Sequence, residues 1–198
     1  MRARSAIFLA LGLAAAATLA VLAARNGGFQ PQAAQGAAVG GAFTMVDQDG
    51  RPVDESVLKG KWSAVFFGFT YCPDVCPTTL QTLAAAEDQL GPKARDLQVV
   101  FVSFDPKRDT PAQLKAYLSA DSFPPGAIGL TGTPEQVAAI AKAYHVYYEV
   151  AGEGDGYLVN HSTPTYLMDP KGRFNRIIPY NLPPAEVARQ IADAMRGG

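Results

Sequence analysis

The segment F-F-G-F-T-Y-C-P-D-V-C-P-T-T-L, residues 66–80, holds both cysteines of the chain, Cys72 and Cys76. It begins inside W-S-A-V-F-F-G-F, residues 62–69, which is apolar on both faces, as a central strand covered on both sides is. It ends inside a helical pattern. Pro77 stands within the first turn, Leu80, Leu83, Ala84 and Leu90 share one side, and Gly91-Pro92 stops the run. The cysteines therefore lie where a strand gives way to a helix. A helix N-terminus there directs unpaired N–H groups and its positive dipole end at the sulfurs, which favours thiolate. Thiolates exchange disulfides or bind soft metal ions.

The chain around this segment sets its context. Of 198 residues, 48% are apolar and the formal net charge is −1, enough for one good core and short for two. Near-neutral charge gives no electrostatic footprint for nucleic acid. Arg2 and Arg4 precede an apolar run over residues 6–24, interrupted only by Gly12 and Thr18. That length just reaches what a single transmembrane helix needs. The alternative is a cleaved signal peptide, with a small-residue site at Val21 to Ala23 or Leu22 to Ala24. Either reading keeps the basic amino end in the cytoplasm and exports the rest to the periplasm or an equivalent space. Residues 26–41, rich in Gly, Ala and Gln and without periodicity, read as a tether. The expected domains are thus an anchor or signal peptide over 1–25, a tether over 26–41 and a folded domain over 42–198.

Within that domain, F-T-M-V-D-Q-D-G-R-P-V is a hairpin signal with an Asp49-Gly50 turn. L-Q-V-V-F-V-S-F, residues 97–104, is a second buried strand. Thr110-Pro111-Ala112-Gln113 and Thr133-Pro134-Glu135-Gln136 each announce a helix by a threonine cap, a first-turn proline and a glutamine at the third position. Their inner faces are Leu114, Tyr117 and Leu118, then Val137, Ile140, Ala141 and Tyr144. A short strand over 127–130 lies between them. After V-Y-Y-E-V, a glycine-rich loop and Y-L-V-N-H, the segments P-T-Y-L-M-D and R-F-N-R-I-I-P-Y pair antiparallel across a D-P-K-G turn. A last helix after Pro183-Pro184 buries Val187, Ile191 and Met195. The order predicts an α/β, thioredoxin-like fold: a central mixed sheet flanked by helices, with an N-terminal hairpin extension.

Taken alone, C-x-x-x-C in an oxidising compartment favours a structural or redox disulfide, and the spacing also lets two thiolates approach a metal from one side. His161 adds an imidazole. Two sulfurs and a nitrogen suit copper, the sulfurs favouring Cu(I) and the nitrogen helping to hold Cu(II). Zinc fits less well because a fourth protein ligand is not obvious. His161 stands just before a strand antiparallel to the first core strand, which begins at the edge where that strand ends. That topology faces it toward the cysteines; the competing reading is a surface or capping histidine. His145, at a helix end, is expected to meet the helix carboxyl end or solvent.

Pro164 in S-T-P-T-Y is either a cis proline beside the dithiol or an ordinary trans proline at a strand start. Asp74 suits a turn. Asp105, Arg108 and Asp109 are expected to shape their loop and cap the next helix, with contact to the cysteine site as the lesser alternative. Phe66, Phe67, Phe69 and Tyr71 read mainly as core.

With these blocks in view the chain resembles the Sco/SenC family, the membrane-tethered thioredoxin-like proteins that help assemble the binuclear copper centre of cytochrome c oxidase. The resemblance rests on Phe43-Thr44-Met45, G-F-T-Y-C-P-D-V-C-P, S-F-D-P-K-R-D-T-P, G-L-T-G-T, A-Y-H-V-Y-Y, Y-L-V-N-H-S and Y-L-M-D-P-K-G-R-F, in that order. It implies that Cys72, Cys76 and His161 ligate copper, Cu(I) or Cu(II), and that the cysteines also form a reversible disulfide. It further implies delivery of copper to the oxidase's copper-bearing subunit, with a copper donor protein and a thiol reductant as further partners. The alternative role is an extracytoplasmic thiol-disulfide oxidoreductase that reduces the oxidase's copper-ligand cysteines. Asn160 departs from the aspartate usual in the family, and His145 from a basic residue. V-C-P-T-T-L also resembles a peroxiredoxin's reactive cysteine superficially, but Pro73 replaces the threonine expected three residues earlier.

Overall fold

The computed structural model describes residues 39–197. The anchor or signal peptide expected over 1–25 lies outside the described residues, as does the expected tether up to residue 38. Among the described residues no helix is long and apolar enough to cross a membrane.

Strand β1 (Thr44–Asp47) turns through Asp49-Gly50 into β2 (Pro52–Asp54), the expected hairpin. Two β-α-β crossovers follow. Strand β3 (Trp62–Gly68) leads through helix α1 (Val75–Leu90) to β4 (Leu97–Ser103). Helix α2 (Pro111–Leu118) then leads to β5 (Ile128–Thr131). After helix α3 (Pro134–Ala143) come β6 (Tyr148–Ala151) and β7 (Leu158–His161), then β8 (Thr165–Met168), β9 (Phe174–Ile178) and helix α4 (Pro184–Gly197). Seven strands form one mixed sheet in the order β2-β1-β5-β4-β3-β8-β9, with β3, β4 and β5 parallel and the remaining pairs antiparallel.

The two-sided apolar run at β3 is explained by its central position. Every residue from Trp62 to Gly68 is buried. Phe66 shares a face with its register partner Phe101, against α1 and α2. Phe67 lies on the opposite face, its ring 5.2 Å from that of Tyr144, which follows α3. Burying each of these phenylalanines contributes about 1.5–3 kcal/mol. Helix α4 packs against α1. It buries Val187, Ala188, Ile191 and Ala194, while Met195, expected inside, is half-buried, as is Ala84 on α1.

The threonine caps form as their sequences predict. Thr110 accepts from the Gln113 N–H at 3.3 Å. Thr133 and Gln136 make a reciprocal capping box, at 3.3 Å and 2.8 Å, each cap being worth about 1 kcal/mol. His145 has a precise local role. Its N–H donates to the Lys142 carbonyl at 3.2 Å and that of Val146 to Ala141 at 2.9 Å, the paired bonds of a Schellman ending. His145 occupies the left-handed position of that motif, φ 54°, where glycine is usual. It is exposed and is not part of the group formed by Cys72, Cys76 and His161, in line with its reading as a helix-end residue.

One feature departs from the sequence-derived order. Strands β6 and β7 pair only with each other, as a separate two-stranded sheet set off from the seven-stranded one.

Candidate metal centre

Three local devices bring Cys72, Cys76 and His161 together. The first is the turn after β3, closed by the Cys72 N–H on the Phe69 carbonyl at 3.2 Å. It is followed by α1, whose second residue is Cys76. The Cys76 N–H points at the Cys72 sulfur, 3.4 Å away, as the unpaired amides of a helix N-terminus allow.

The second device is Gly68. A Cβ there would lie 2.7 Å from the Cys76 Sγ and 2.9 Å from the Phe101 ring, so only glycine lets the fully buried Cys76 pack onto the strand.

The third is the β6–β7 hairpin. His161 is paired with Tyr148, whose ring stacks on Phe104 at 4.7 Å and 7°. That docking puts His161 Nε2 3.8 Å from Cys76 Sγ. The rings of Phe69 and Phe104 flank the imidazole at 6.0 and 5.5 Å. His161 Nδ1 lies 2.8 Å from the Ser162 carbonyl oxygen. A carbonyl only accepts, so Nδ1 carries the proton and the Nε2 lone pair faces the sulfurs, the tautomer a metal ligand needs. One donor atom from each of the three residues lies within 4.8 Å of the others.

The sulfurs are unequal. Both cysteines are free, Cys76 buried and Cys72 half-buried. Hydrogen bonding from the Cys76 thiol, helped by the amides of Asp74 and Cys76, holds the Cys72 thiol down at about 4 against the opposing effect of burial. The same bond to Cys72, burial and the neighbouring thiolate push Cys76 up. Cys72 is therefore the thiolate of the pair.

This asymmetry has a direct test. Alkylation of Cys72 by iodoacetamide is expected to proceed at a nearly constant rate from pH 8 to about pH 5 and to fall only as the pH nears 4. A thiol at the ordinary value of about 8.5 would slow roughly tenfold per pH unit over that range. The linkage has the same sign. The depressed folded value contributes stability that is present in full above the unfolded value and is lost as the pH falls toward 4.

Asp105, Arg108 and Asp109 do more than shape their loop. Asp109, fully buried, accepts from the Thr70 N–H at 2.9 Å, the Thr70 hydroxyl at 2.6 Å and the Ser103 hydroxyl at 2.5 Å. It thus ties the end of β4 to the backbone just before Cys72, while the cap of α2 comes from Thr110. Asp105 pairs with Arg108 and accepts from the Tyr157 hydroxyl at 2.5 Å. The Arg108 guanidinium lies 3.6 Å from the Tyr157 ring centre and 4.7 Å from that of Tyr71, a cation–π stack that joins the hairpin loop to the cysteine turn. They shape their loop as expected, the Arg108 and Asp109 amides donating to the Asp105 carbonyl, and they reach the cysteine turn through Thr70 and Tyr71.

Tyr71, expected mainly in the core, is 55% exposed. Asp74 is the residue before α1; its carboxylate accepts from the Thr78 hydroxyl at 3.2 Å, a turn role. The peptide bond before Pro164 is trans. Sequence reasoning singled out neither Tyr148 nor Tyr157, and assigned Phe104 only to its strand. The one available signal was the aromatic density around S-F-D-P and V-Y-Y, which periodicity alone does not assign to a partner.

Comparison with known proteins agrees with this geometry. The family model described as SCO1/SenC matches residues 31–196. "Protein SenC" of Rhodobacter capsulatus is 41% identical over 197 residues, covering 96% of this chain and 87% of that protein. "Protein SCO1 homolog 1, mitochondrial" of Arabidopsis thaliana is 46% identical over 140 residues, 70% of this chain and 41% of that longer protein. The crystal structure of Arabidopsis thaliana ScoI with copper bound superposes with a TM-score of 0.76 at 40% identity, covering 81% of this chain and 100% of that one. Bradyrhizobium japonicum ScoI with copper bound gives 0.71 at 42%, covering 80% and 99%. With the family model spanning nearly all of the described fold and the same architecture in these relatives, the chain belongs to the SCO1/SenC family.

Proposed function

We propose that Cys72, Cys76 and His161 bind copper, and that the chain acts as a metallochaperone delivering copper to the binuclear copper centre of cytochrome c oxidase. The observation that carries the reading is the convergence of two sulfurs and one correctly protonated imidazole within 4.8 Å. A soft, three-donor set of this kind fits Cu(I), and the nitrogen extends it to Cu(II). Among the described residues no fourth His, Cys, Asp or Glu joins the group, which disfavours structural zinc. The site lies at the carboxyl end of β3, with Cys72 half-buried, where ligand exchange with a partner's ligands is sterically open.

The copper-bound structures of relatives from Arabidopsis and Bradyrhizobium support the choice of metal. A related structure titled for a disulfide switch in BsSco, "a member of the Sco family of cytochrome c oxidase assembly proteins", supports the oxidase as destination. The partners in this reading are the oxidase's copper-bearing subunit, a copper donor protein and a thiol reductant. The domain is held on the extracytoplasmic side of a membrane by the apolar run over residues 6–24. A SCO1/SenC family lipoprotein of Bacillus anthracis among the structural relatives supports a membrane-attached setting.

The test is copper titration of the reduced chain, followed by thiolate-to-copper charge-transfer absorption. Wild type is expected to bind one copper, and His161→Ala to bind more than tenfold more weakly. Equal binding by the two would refute the ligand set.

A second reading, a thiol-disulfide oxidoreductase acting on the oxidase's copper-ligand cysteines, draws on the asymmetry of the sulfurs. An accessible thiolate at Cys72 beside a buried partner thiol is the arrangement of an attacking and a resolving cysteine. Restoration of oxidase assembly by His161→Ala, with failure of either cysteine variant, would favour it.

A further inference from the structure

The hairpin that carries His161 takes its place from side chains, since β6 and β7 pair only with each other. An isolated two-stranded ladder is marginally stable in water. At the imidazole end, the stack of Tyr148 on Phe104 holds it. At the other end of β7, Tyr157 does so. Tyr157 lies four residues before His161, about 13 Å along an extended strand. It closes a glycine-rich loop, yet it is only 9% exposed.

What Tyr157 grips is the segment just after β4. Its hydroxyl donates to the Asp105 carboxylate at 2.5 Å, across 52 positions of sequence. A hydroxyl bonded to a carboxylate at that length makes one of the strong hydrogen bonds. Its ring centre lies 3.6 Å from the Arg108 guanidinium, which is ion-paired with the same carboxylate. That ion pair already neutralises Asp105, and a phenylalanine ring would cover the guanidinium equally well. The hydroxyl therefore serves to fix where the ring stands.

Asp105 in turn is tied to the cysteine side of the site. Its N–H donates to the Ser103 hydroxyl at 2.9 Å. That hydroxyl donates to Asp109, the carboxylate that holds the Thr70 amide and hydroxyl two residues before Cys72. One continuous run of hydrogen bonds thus passes from Tyr157 through Asp105, Ser103 and Asp109 to the cysteine turn, and it includes neither a sulfur nor the imidazole. Both halves of the metal centre are set against the same strand end.

We infer that Tyr157 is a positioning residue for His161: bonded to Asp105, it holds the hairpin closed, so that the imidazole faces the sulfurs before copper arrives. The inference rests on the reading of Cys72, Cys76 and His161 as copper ligands. Without the hydroxyl, the Tyr148 stack alone holds the hairpin, which then stands open for most of the time. A ligand in place for only a fraction of the time weakens binding by the reciprocal of that fraction.

The experiment uses the reduced full chain with ring-labelled histidine, whose signals come from His145 and His161 alone. In the copper-free wild type the His161 ring protons are expected to be shifted by the flanking Phe69 and Phe104 rings. In Tyr157→Phe they are expected to move about four-fifths of the way to the free-histidine position, and copper affinity to fall about fivefold. The same substitution on a His161→Ala background should leave affinity unchanged. Tyr147→Phe, which removes a hydroxyl bonded to the neighbouring Glu149 at 2.6 Å, is the control and should change neither readout. Unmoved His161 signals, or movement matched by Tyr147→Phe, would overturn the inference. So would movement shared by the amides of β3 and β4, which would make Tyr157 a support of the whole fold. Copper affinity that stays unchanged, or falls equally in both backgrounds, would overturn it as well. If wild type and His161→Ala bind copper equally, the ligand reading fails, and the copper-free signals alone decide whether Tyr157 positions the imidazole.

Discussion

Replacing Asp109 by alanine is expected to lower the stability of the folded domain by about 3–4 kcal/mol and to release the cysteine turn. The carboxylate is fully buried and accepts three hydrogen bonds. Bonds to a charged group contribute about 1.5–3 kcal/mol each, and a buried donor left without an acceptor costs about 1–3 kcal/mol more. Alanine would strand the Thr70 amide, the Thr70 hydroxyl and the Ser103 hydroxyl together. Summing these separately would overcount, because the three share one acceptor. Urea unfolding, monitored by the fluorescence of the buried Trp62, measures the loss. Asparagine, which keeps one acceptor oxygen, should recover part of it. The functional consequence is read at Cys72. With Thr70 untied, the iodoacetamide reaction loses its flat pH profile and moves toward that of an ordinary thiol. A destabilised variant with the Cys72 profile intact would show that Asp109 supports the fold without positioning the site.

Gly68→Ala is expected to cost about 1–3 kcal/mol, the range for overpacking a filled core, and to weaken copper binding more than tenfold. The added methyl would meet the Cys76 sulfur at 2.7 Å and the Phe101 ring at 2.9 Å. Phe101 and Cys76 are both fully buried, and the methyl meets the Cys76 sulfur more closely, so Cys76 is displaced. Its displacement breaks the short approaches to Cys72 and His161. Gly129→Ala is the matched control, since its methyl would meet Leu118 at 2.7 Å between β5 and α2. The control should lose comparable stability while keeping copper. Equal loss of copper by both variants would mean that general loosening, rather than the position of Cys76, sets the affinity.

The main sheet was readable because its information is local. The apolar run through Phe66 and Phe67, the threonine-proline caps at Thr110 and Thr133, and the Asp49-Gly50 turn each determine their own element. Parallel pairing of β3 with β4 then follows from the intervening helix. The histidine was readable for a topological reason, as its place before an antiparallel strand brings it to the cysteine edge. Asp109 was not. Its neighbour Thr110 advertises a helix cap, and nothing in D-T-P tells a reader that the aspartate turns inward to Thr70. The β6–β7 hairpin was hidden likewise. Its loop, A-G-E-G-D-G, is too long for its Asp155-Gly156 pair to set a register as a two-residue turn does, and the stack of Tyr148 on Phe104 joins segments far apart in sequence. Tyr71 was misjudged because an aromatic beside a core strand usually packs inward, whereas this one lies in the turn under Arg108.

The separateness of the β6–β7 sheet has a kinetic consequence. The two cysteines belong to the turn and helix rooted in the seven-stranded core, and they part only when that core does. His161 belongs to a small ladder joined to the rest by side-chain contacts of Tyr148 and Tyr157, and such a unit opens at a lower free energy than the whole domain. Amide protons of β6 and β7 should therefore exchange with solvent well before those of β3 and β4. The imidazole can withdraw while both sulfurs stay in place, so a bound ion would pass through a two-sulfur stage on its way in or out.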